Sequence, residues 1–337
     1  MHGEEAKMKD ILPKIPYLDV GPHGAVRLAE LTPEIFDAVL VAGHSYYGRA
    51  TLFFGDLLSR RWLRRNCNPF TEEIIKLSQL ADRRGTYLLN LSYEWSCTSA
   101  ATADPSLTGA RLLRTLDWPL HGLGRYVVVV RMAGDAGVYD NITWPGFVGV
   151  ATASAPGRFA AALNQPPMRK WTSFSCTDWT INRIRVWRRP ALPPVHLLRQ
   201  VFDTCRTFLA ARDMLTKTPL AMPAFFTLAG IEPHETCVIE RTEDGACVRQ
   251  GPVSISNHWI ETVQPSHYRG HDSEGRLRLM EELCNRAASA SPFDWVKSPI
   301  LNPTTRLAVV ANPANGRLVV QGWEKNGPAT TVFELNQ

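Results

Sequence analysis

The first part of the chain has apolar residues at helical spacing. Thr32-Pro33-Glu34 is a sequence typical of a helix start, and Ile35, Val39, Leu40 and His44 follow it on one stripe. A second stretch of this kind opens at Thr71 and runs through Leu80. We therefore predict a mainly helical segment that ends near Cys97.

From Cys97 onward the pattern changes to short runs of strand-forming residues separated by glycine and proline. The predicted strands cover residues 126–132, 147–153, 158–163, 184–188, 225–228, 236–241, 253–257, 307–311, 318–322 and 330–335. Amphipathic helices are predicted over 195–215 and 273–288. This order favours an α+β fold, in which two layered antiparallel sheets are covered by helices on both faces.

Composition and charge narrow the class of protein. The 337 residues are 45% hydrophobic, which suffices for a sizeable core, and the formal net charge is +5. Apart from the clusters Arg60–Arg65 and Arg183–Arg189 the charges are scattered, so no nucleic-acid partner is expected. Both clusters are typical of a solvated surface or of one facing lipid head groups, which predicts a peripheral membrane contact. Because no run of about 18 apolar residues occurs and the first thirty residues are charged, we predict a cytoplasmic protein without a membrane span or signal peptide.

The cysteines point to thiol chemistry more than to a cross-linked or metal-bound protein. They stand far apart, at positions 67, 97, 176, 205, 237, 247 and 284, and none belongs to a Cys-x-x-Cys pair. This spacing argues against a zinc site and against a dense disulfide scaffold, and we expect no metal and no other cofactor. An odd number of cysteines leaves room for one free, reactive thiol.

Cys97 stands at the start of a predicted β-hairpin. Small residues follow it, Asp104–Gly109 has turn chemistry, and Ala110–Trp118 has the pattern of the returning strand. If the hairpin is symmetric about residue 107, Cys97 faces Asp117. Directly opposed residues on one face have Cβ atoms roughly 4.5 to 5.5 Å apart, so a thiol and a carboxylate would share one patch of sheet.

Arg114 lies on the returning strand, three residues before Asp117. That spacing places the two side chains on opposite faces of a regular strand, so both can reach Cys97 only if the strand bends near Thr115 and Leu116. Taken by itself, the cysteine is more typical of a buried structural thiol, and the arginine and aspartate of a surface ion pair.

A longer set of motifs surrounds this hairpin. They are Asn90-x-x-Tyr93-Glu94, Cys97-Thr98-Ser99, Arg114-Thr115-Leu116-Asp117, Trp144-Pro145-Gly146-Phe147-Val148-Gly149, Leu163-Asn164 and Ser256-Asn257-His258-Trp259. In this combination, from about residue 85 to 280, the chain resembles the acid ceramidase and N-acylethanolamine acid amidase family. These are N-terminal nucleophile cysteine hydrolases related to the choloylglycine hydrolases. The resemblance implies a four-layer αββα sandwich of antiparallel sheets, preceded by a mainly helical prosegment.

The resemblance also implies that the chain cuts itself between Ser96 and Cys97. Residues 1–96 would become the α subunit and residues 97–337 the catalytic β subunit, and the two would stay associated. A free α-amine has an unperturbed pKa of about 7.7 to 8.0, so the new amino group could take the thiol proton. By resemblance, Arg114 lowers the pKa of the Cys97 thiol and Asp117 holds the ammonium group.

Three more residues are assigned to the site by resemblance. The side-chain amides of Asn164 and Asn257 would donate to the oxyanion, and Arg276 would complete the set. Arg269 and Arg278 are alternatives for the place of Arg276. Without the resemblance, an asparagine at a strand end such as Asn257 is more typical of a turn.

Trp144, Phe147 and Gln165 are candidate substrate contacts. Gln165 is also a departure from the family, which has a glutamate there, and the lost charge bears on the efficiency of self-cleavage or on its pH dependence. A second departure is the spacer, because only two residues separate the Tyr-Glu motif from the cysteine where the family more often has a longer one. His258 does not match a Cys-His protease dyad.

The leading hypothesis is a self-processing cysteine amidohydrolase that cleaves N-acylethanolamine-like or ceramide-like amides through an acyl-thioester. Its partners would be this small lipophilic substrate and its own cleaved prosegment, in which Ala50–Leu58 is a candidate lining of an acyl-chain tunnel. Bile-salt hydrolases and penicillin V acylases are a close alternative, but they have the cysteine next to the initiator methionine and lack a long helical prosegment. The same site could also transfer the acyl group to an amine, and a catalytically silent lipid-binding homologue is a hypothesis of a different class.

Overall fold

The computed structural model describes residues 12–92, 94–284 and 291–336. Its N-terminal part begins with strand β1 (Tyr17–Gly21) and continues with helices α1 (Gly24–Leu31), α2 (Pro33–Tyr47), α3 (Arg49–Arg65), α4 (Thr71–Leu80) and α5 (Thr86–Leu91). The predicted helices behind Thr32 and over Thr71–Leu80 are confirmed. Pro33 is the first residue of α2, a position where its missing N–H has no intrahelical partner to lose.

The rest of the described chain alternates strands and helices. The strands are β2 (Ser96–Ala103), β3 (Ala110–Asp117), β4 (Val128–Gly134), β5 (Gly137–Thr143), β6 (Thr152–Ala155), β7 (Phe159–Asn164), β8 (Ala224–Gly230), β9 (Thr236–Arg241), β10 (Ala246–Gln250), β11 (Val253–Ile255), β12 (Thr305–Asn312), β13 (Arg317–Glu324), β14 (Gly327–Pro328) and β15 (Phe333–Leu335). The helices are α6 (Ser175–Arg188), α7 (Pro194–Thr204), α8 (Phe208–Lys217) and α9 (Ser273–Leu283), with a 3₁₀ turn at Leu123–Tyr126. Within the described ranges, no helix has both the length and the hydropathy that crossing a bilayer requires.

The strands form two sheets that pack face to face. The first has the order β1-β4-β5-β6-β7-β8-β9-β10, and each neighbouring pair is antiparallel except β1 and β4. The second has the order β11-β2-β3-β12-β13, and β14 and β15 both pair with β13. Helices α7 and α8 pack on the first sheet and α9 packs on the second. The predicted αββα sandwich is therefore confirmed.

The N-terminal segment contributes a strand as well as helices, which the sequence pattern did not predict. Strand β1 lies parallel to β4 at the edge of the first sheet, with Tyr17 opposite Val129. Only five residues form it, directly after Pro16, so it is too short to show a period of its own. This strand ties the segment before Cys97 into the sheet that follows it.

The predicted strand over 184–188 is wrong, because these residues form the last turns of α6. Trp179, Arg183, Val186 and Trp187 line one cavity, and their spacing is that of one helix face. A window of five residues rich in Ile, Val and Arg hid this longer period.

The predicted helix over 195–215 is two helices, α7 and α8, with a break at residues 205–207. Arg158 donates to the carbonyl oxygens of Phe202 (3.0 Å) and Cys205 (2.9 Å), which therefore have partners outside the helix. Thr207 then caps α8 by accepting from the N–H of Ala210 at 3.2 Å.

Residues 147–151 are irregular where a strand over 147–153 was predicted, and β6 begins only at Thr152. Asn90 of α5 explains this: its amide donates to the carbonyl of Gly146 at 2.8 Å and accepts from the N–H of Val148 at 2.7 Å. These bonds occupy backbone groups that would otherwise pair with a neighbouring strand. The end of the helix predicted over 273–288, and Tyr93 of the Tyr-Glu motif, lie outside the described residues.

Candidate active site

The hairpin that carries Cys97 has a different register from the predicted one. Cys97 is opposite Leu116, and Ser96 is opposite Asp117. The loop between the strands has six residues, Asp104–Gly109, closed by a hydrogen bond from Asp104 N to the carbonyl of Gly109 at 3.0 Å. Because six is even, the centre of the hairpin falls between residues 106 and 107, and the predicted pairing of Cys97 with Asp117 is wrong by one residue.

This shift removes the need for a bend. Pairing of β2 with β3 is regular as far as Asp117, so the bend predicted near Thr115 and Leu116 is absent from this described hairpin. In the regular ladder Cys97 and Arg114 share the face toward the first sheet, and Arg114 Nη2 lies 3.0 Å from Cys97 Sγ. Asp117 occupies the other face, toward α9.

Arg114 is fully buried, and backbone carbonyls fix its guanidinium. Nη2 also donates to the carbonyl of Leu163 at 3.1 Å, while Nη1 donates to the carbonyl of Ala151 at 3.1 Å and to the hydroxyl of Thr152. The charge beside the thiol is therefore held by β6, β7 and the residue before β6. Segments distant in the sequence supply these contacts.

Burial raises the pKa of the Cys97 thiol above its usual range. The charge of Arg114 and its hydrogen bond to the sulfur lower that pKa, and Asp117 raises it. The predicted effect of Arg114 is present, but the desolvation of a fully buried sulfur outweighs it. A thiolate here needs a proton acceptor or freer access of water.

Asn257 and Arg276 hold the two ends of Cys97's backbone. The N–H of Cys97 donates to Asn257 Oδ1 at 2.9 Å, and Arg276 Nη1 donates to the carbonyl of Cys97 at 2.6 Å. Arg276 Nη2 donates to the same Asn257 Oδ1 at 2.8 Å. Because a guanidinium can only donate, the amide oxygen of Asn257 must face Cys97, and its Nδ2 donates to the carbonyl of Gln165 at 2.8 Å.

Among the three candidate arginines, Arg276 is the one that α9 directs at Cys97. It is fully buried, and burial lowers its pKa while Asp117 opposes that shift. Arg278 is exposed on the same helix. Arg269 donates to the carbonyl of Trp95 at 3.4 Å, two residues before the cysteine.

Asp117 lies beside the backbone of the predicted cleavage site. Its carboxylate accepts from Asn302 Nδ2 and Thr305 Oγ1, both at 2.9 Å, and lies 3.8 Å from Arg276 Nη1 and 3.5 Å from Ser96 Oγ. Burial raises its pKa, while Arg276 and the two hydrogen bonds lower it. Sequence reasoning missed Asn302 and Thr305, because nearly two hundred residues separate them from Asp117 and no local pattern marks them.

Asn164, the last residue of β7, has both ends of its amide occupied. Its Oδ1 accepts from Ser99 Oγ at 3.1 Å, and its Nδ2 donates to the carbonyls of Ile255 (3.2 Å) and Ser256 (3.1 Å). These bonds join β7 to the end of β11, directly before Asn257. In this structure Asn164 therefore fixes the strand end from which Asn257 projects.

The peptide bond between Ser96 and Cys97 lies at the start of β2 and is covered by a loop. Gly270 of that loop has φ +70°, and a Cβ added to it would lie 2.5 Å from the Cβ of Ser96, so glycine is required there. Trp95 is 1% exposed and packs edge-on against Trp118 and Phe147, with ring centroids 5.1 and 6.1 Å apart.

The three candidate substrate residues lie near this segment. Phe147 contacts Trp95 directly, and Trp144 packs edge-on against Trp118, the other neighbour of Trp95. Gln165 is 4% exposed, and its Nε2 lies 3.5 Å from the carbonyl of Pro223.

An apolar cavity of about 390 Å³ opens between α3 and α6. Its lining includes Phe54 and Leu58 of α3, Trp179 and Trp187 of α6, and Glu94 near the predicted cleavage site. The predicted tunnel stretch Ala50–Leu58 thus contributes to its wall. All seven cysteines lie in the described part of the chain and are free thiols.

The chain is similar to two groups of amidases. No family model matches it. An N-acylethanolamine-hydrolyzing acid amidase from Oryctolagus cuniculus is 32% identical over 187 residues, which cover 52% of this chain and 49% of the relative. An acid ceramidase from Pan troglodytes is 29% identical over 104 residues, 31% of this chain and 25% of the relative. The chain thus spans about half the length of the first relative and a quarter of the second.

One solved structure shows the same fold. The Caenorhabditis elegans ortholog of N-acylethanolamine-hydrolyzing acid amidase superposes with a TM-score of 0.50 at 19% identity, covering 64% of this chain and 93% of the other. The resemblance predicted from the motifs around Cys97 is therefore confirmed by similar proteins bearing those names.

Proposed function

We propose that this chain is a self-processing cysteine amidohydrolase for lipophilic N-acyl amines. One arrangement carries the proposal: Cys97 Sγ lies 3.0 Å from Arg114, while Asn257 and Arg276 bind the N–H and C=O of the same residue. The names of the relatives, an N-acylethanolamine-hydrolyzing amidase and a ceramidase, support an amide substrate with a lipid chain.

In the first stage the thiol of Cys97 attacks the carbonyl carbon of Ser96. A thioester bond forms from that carbon to Sγ, the bond from the carbon to the nitrogen of Cys97 breaks, and the thiol proton ends on this nitrogen. Water then hydrolyses the thioester, which leaves a carboxylate on Ser96 and a free thiol and α-amine on Cys97. Asn257 Oδ1, which accepts from the N–H of Cys97 at 2.9 Å, is placed to hold the new amine, the role that the resemblance gave to Asp117.

In the second stage the α-amine of Cys97 takes the thiol proton, because its unperturbed pKa of about 7.7 to 8.0 suits a base at neutral pH. The thiolate attacks the substrate amide, the amine leaves with that proton, and water resolves the acyl-thioester. Of the two hydrogens on Asn257 Nδ2, one is donated to the carbonyl of Gln165, and we assign the other to the oxyanion. Asn164 acts by positioning, since both its hydrogens are donated to carbonyls at the end of β11.

The apolar cavity between α3 and α6 is the proposed acyl-chain site. Its volume of about 390 Å³ falls in the ordinary range for ligand pockets of roughly 300 to 1,000 Å³. Residues upstream of Cys97 lie on the acyl side of the bond that is cut, and Glu94 of this segment lines the cavity. An acyl chain that leads from Cys97 along this path would reach the apolar walls.

Exposed apolar residues of the same two helices, some of which also line the cavity, support a lipid-surface contact. Phe54, Leu57 and Leu58 on α3 are 61, 60 and 56% exposed, and Trp179 on α6 is 52% exposed. The arginine clusters predicted to face head groups lie on these helices. Apolar side chains beside arginines are the composition of surfaces that bind at the lipid interface. The cytoplasmic location stays a prediction.

The prosegment has the contacts needed to remain as a second subunit after the cut. Strand β1 is part of the first sheet, and Asn90 binds residues 146 and 148. Arg199 of α7 forms a 2.6 Å ion pair with Glu73 of α4, and both side chains are largely buried. None of these bonds involves residue 96 or 97, so breaking one peptide bond does not remove them.

A substrate panel tests the function. Processed protein would be incubated with N-acylethanolamines, ceramides, N-acyl amino acids and penicillin V, with Cys97→Ser as the control, and the released fatty acid or side chain measured. We expect turnover of the lipid amides and none by the control. Preferred turnover of penicillin V would favour a penicillin V acylase type of enzyme, and a new amide formed from an added amine would favour acyl transfer. No turnover of any member would favour the silent lipid-binding protein.

Gln165→Glu is expected to make self-cleavage depend on pH. Burial would raise the pKa of a carboxyl group at this 4% exposed position, so in mild acid it would be neutral and could still donate to the carbonyl of Pro223. Above that pKa a buried carboxylate would face the carbonyl oxygen. We expect near wild-type cleavage at about pH 5 and about tenfold slower cleavage at neutral pH. The factor of about ten is the fall in the neutral fraction of a carboxyl group when the pH is about one unit above its pKa. The measurement is the ratio of the two rates, and an equal ratio in both chains would contradict the expectation.

A further inference from the structure

Ser256, His258 and Ser273 form a polar cluster where β11 ends and α9 begins. The hydroxyl of Ser273 lies 2.8 Å from His258 Nδ1 and 2.8 Å from Ser256 Oγ, and Ser256 Oγ donates to the carbonyl of Ser273 at 2.7 Å. His258 Nδ1 also lies 3.1 Å from Ser256 Oγ, so the ring contacts two serines, which is a different arrangement from a Cys-His dyad.

The same hydroxyl binds the backbone of Asn257. The N–H of Asn257 donates to Ser273 Oγ at 2.9 Å. Ser273 is also the first residue of α9, and Arg276 follows one turn later on that helix. The hydroxyl oxygen of Ser273 therefore links two groups that hold the backbone of Cys97. One is Asn257, which accepts from the N–H of Cys97, and the other is α9, whose Arg276 donates to the C=O of Cys97.

The donors and acceptors of the cluster fix the direction of this link. Since Ser273 Oγ accepts from Asn257, its own hydrogen is available to His258 Nδ1 or to Ser256 Oγ. Burial lowers the pKa of His258, so the ring is neutral at pH 7 and Nδ1 can accept this hydrogen. With its hydrogen directed away, the oxygen of Ser273 presents its lone pairs to Asn257.

We infer that Ser273, oriented by His258, is a positioning residue that sets the Asn257 and Arg276 pair against the backbone of Cys97. The expected effect of Ser273 on reaction rates rests on the proposed function. A substitution that moves a catalytic group by about 1 Å reduces the rate by roughly 100-fold, even when the substituted residue does not touch the reacting atoms. Removal of the Ser273 hydroxyl leaves the N–H of Asn257 without this acceptor and loosens the register between β11 and α9.

The rate experiment compares Ser273→Ala, Ser273→Thr and a matched control, Ser175→Ala. Ser175 is likewise the first residue of a helix, α6, but it is exposed. We expect Ser273→Ala to slow self-cleavage and kcat for N-lauroylethanolamine by about 100-fold with little change in KM. Threonine keeps the hydroxyl and should restore most of the rate, and the control should match wild type. Wild-type rates in Ser273→Ala would overturn the inference, as would equal losses in the alanine and threonine variants.

A second readout does not depend on activity. In a Cys97→Ala background, which keeps the peptide bond intact, amide hydrogen exchange at position 97 reports the bond to Asn257 Oδ1. Adding Ser273→Ala should speed that exchange at least tenfold and leave Ala100 and Ala101 of β2 unchanged. Unchanged exchange at position 97 would overturn the inference. If wild-type protein neither cleaves nor turns over substrate, the proposed function fails, while the exchange result still decides the role of Ser273.

His258→Ala, which keeps the Ser273 hydroxyl, is the second variant. Its amide exchange rate at position 97 should fall between those of wild type and Ser273→Ala.

Discussion

Replacing Cys97 by alanine is expected to leave the chain in one piece and to abolish amide hydrolysis. The sulfur is the atom that would attack Ser96 and later the substrate, so both reactions lose their nucleophile. Loss of a hydrolase nucleophile reduces kcat by on the order of 10⁶-fold. Intact mass should show fragments of residues 1–96 and 97–337 for the wild-type protein and only the full chain for the variant.

Cys237→Ala is the matched control for this experiment. Cys237 is also a fully buried thiol within a strand, but burial raises its pKa to about 12 and it pairs in β9, opposite Leu228. The control should cleave like wild type. Both fragments from Cys97→Ala would remove Cys97 from the mechanism. A wild-type chain that stays intact under all conditions would instead support the silent homologue that the short spacer and Gln165 suggest.

Arg276→Ala is expected to stop self-cleavage and to destabilise the fold. The guanidinium is fully buried and donates to the carbonyl of Cys97, the hydroxyl of Thr98 and Asn257 Oδ1, with Asp117 at 3.8 Å. Its removal takes the ion-pair partner at 3.8 Å from the buried carboxylate, and breaking such a pair typically costs about 3 to 5 kcal/mol. Urea unfolding of the Cys97→Ala background measures that free energy, and intact mass measures cleavage.

Two further variants separate charge from geometry. Arg276→Lys keeps the positive charge, so it should recover part of the stability, but a single ammonium cannot reproduce the fork that binds Cys97 and Asn257 together. Its self-cleavage should therefore stay at least about 100-fold slow. Arg278→Ala removes an exposed arginine from the same helix and should change stability by no more than about 0.5 kcal/mol. Normal cleavage by Arg276→Ala would show that Arg269 or another group performs this role.

The segment before Cys97 bears on the choice between the proposed amidase and the alternative of a bile-salt hydrolase or penicillin V acylase type of enzyme. The sequence resemblance implies a long segment before the cysteine for the first and none for the second. Here Cys97 follows α5, and the preceding segment supplies β1 to one sheet and the α3 wall of the apolar cavity. If residues 1–96 are a prosegment, as we propose, their place in the sheet and in the proposed acyl site favours the ceramidase and N-acylethanolamine amidase side.

The local sequence pattern predicted most helices and strands correctly. It failed where a residue from a distant part of the chain forms hydrogen bonds to the backbone. The helix over Thr71–Leu80 and the strand over Thr236–Arg241 have the predicted bounds, because period and capping residues act within a few positions. The prediction of one helix over 195–215 is wrong because Arg158 donates hydrogen bonds to two carbonyl oxygens at the end of α7. The strand predicted over 147–153 is shortened because Asn90 binds the backbone before it.

The sequence by itself determined the helices that follow Thr32 and open at Thr71, most of the strands after Cys97, the turn between β2 and β3, and the presence of a cysteine and an arginine on that hairpin, since each depends on neighbours along the chain. Only the tertiary structure decided the register that puts Arg114 and not Asp117 on the face of Cys97, the choice of Arg276 over Arg269 and Arg278, and the partners of Asp117 and Asn257. The physical reason is that a one-residue change of register turns every side chain to the other face, and that these partners come from strands and helices packed together from distant parts of the sequence.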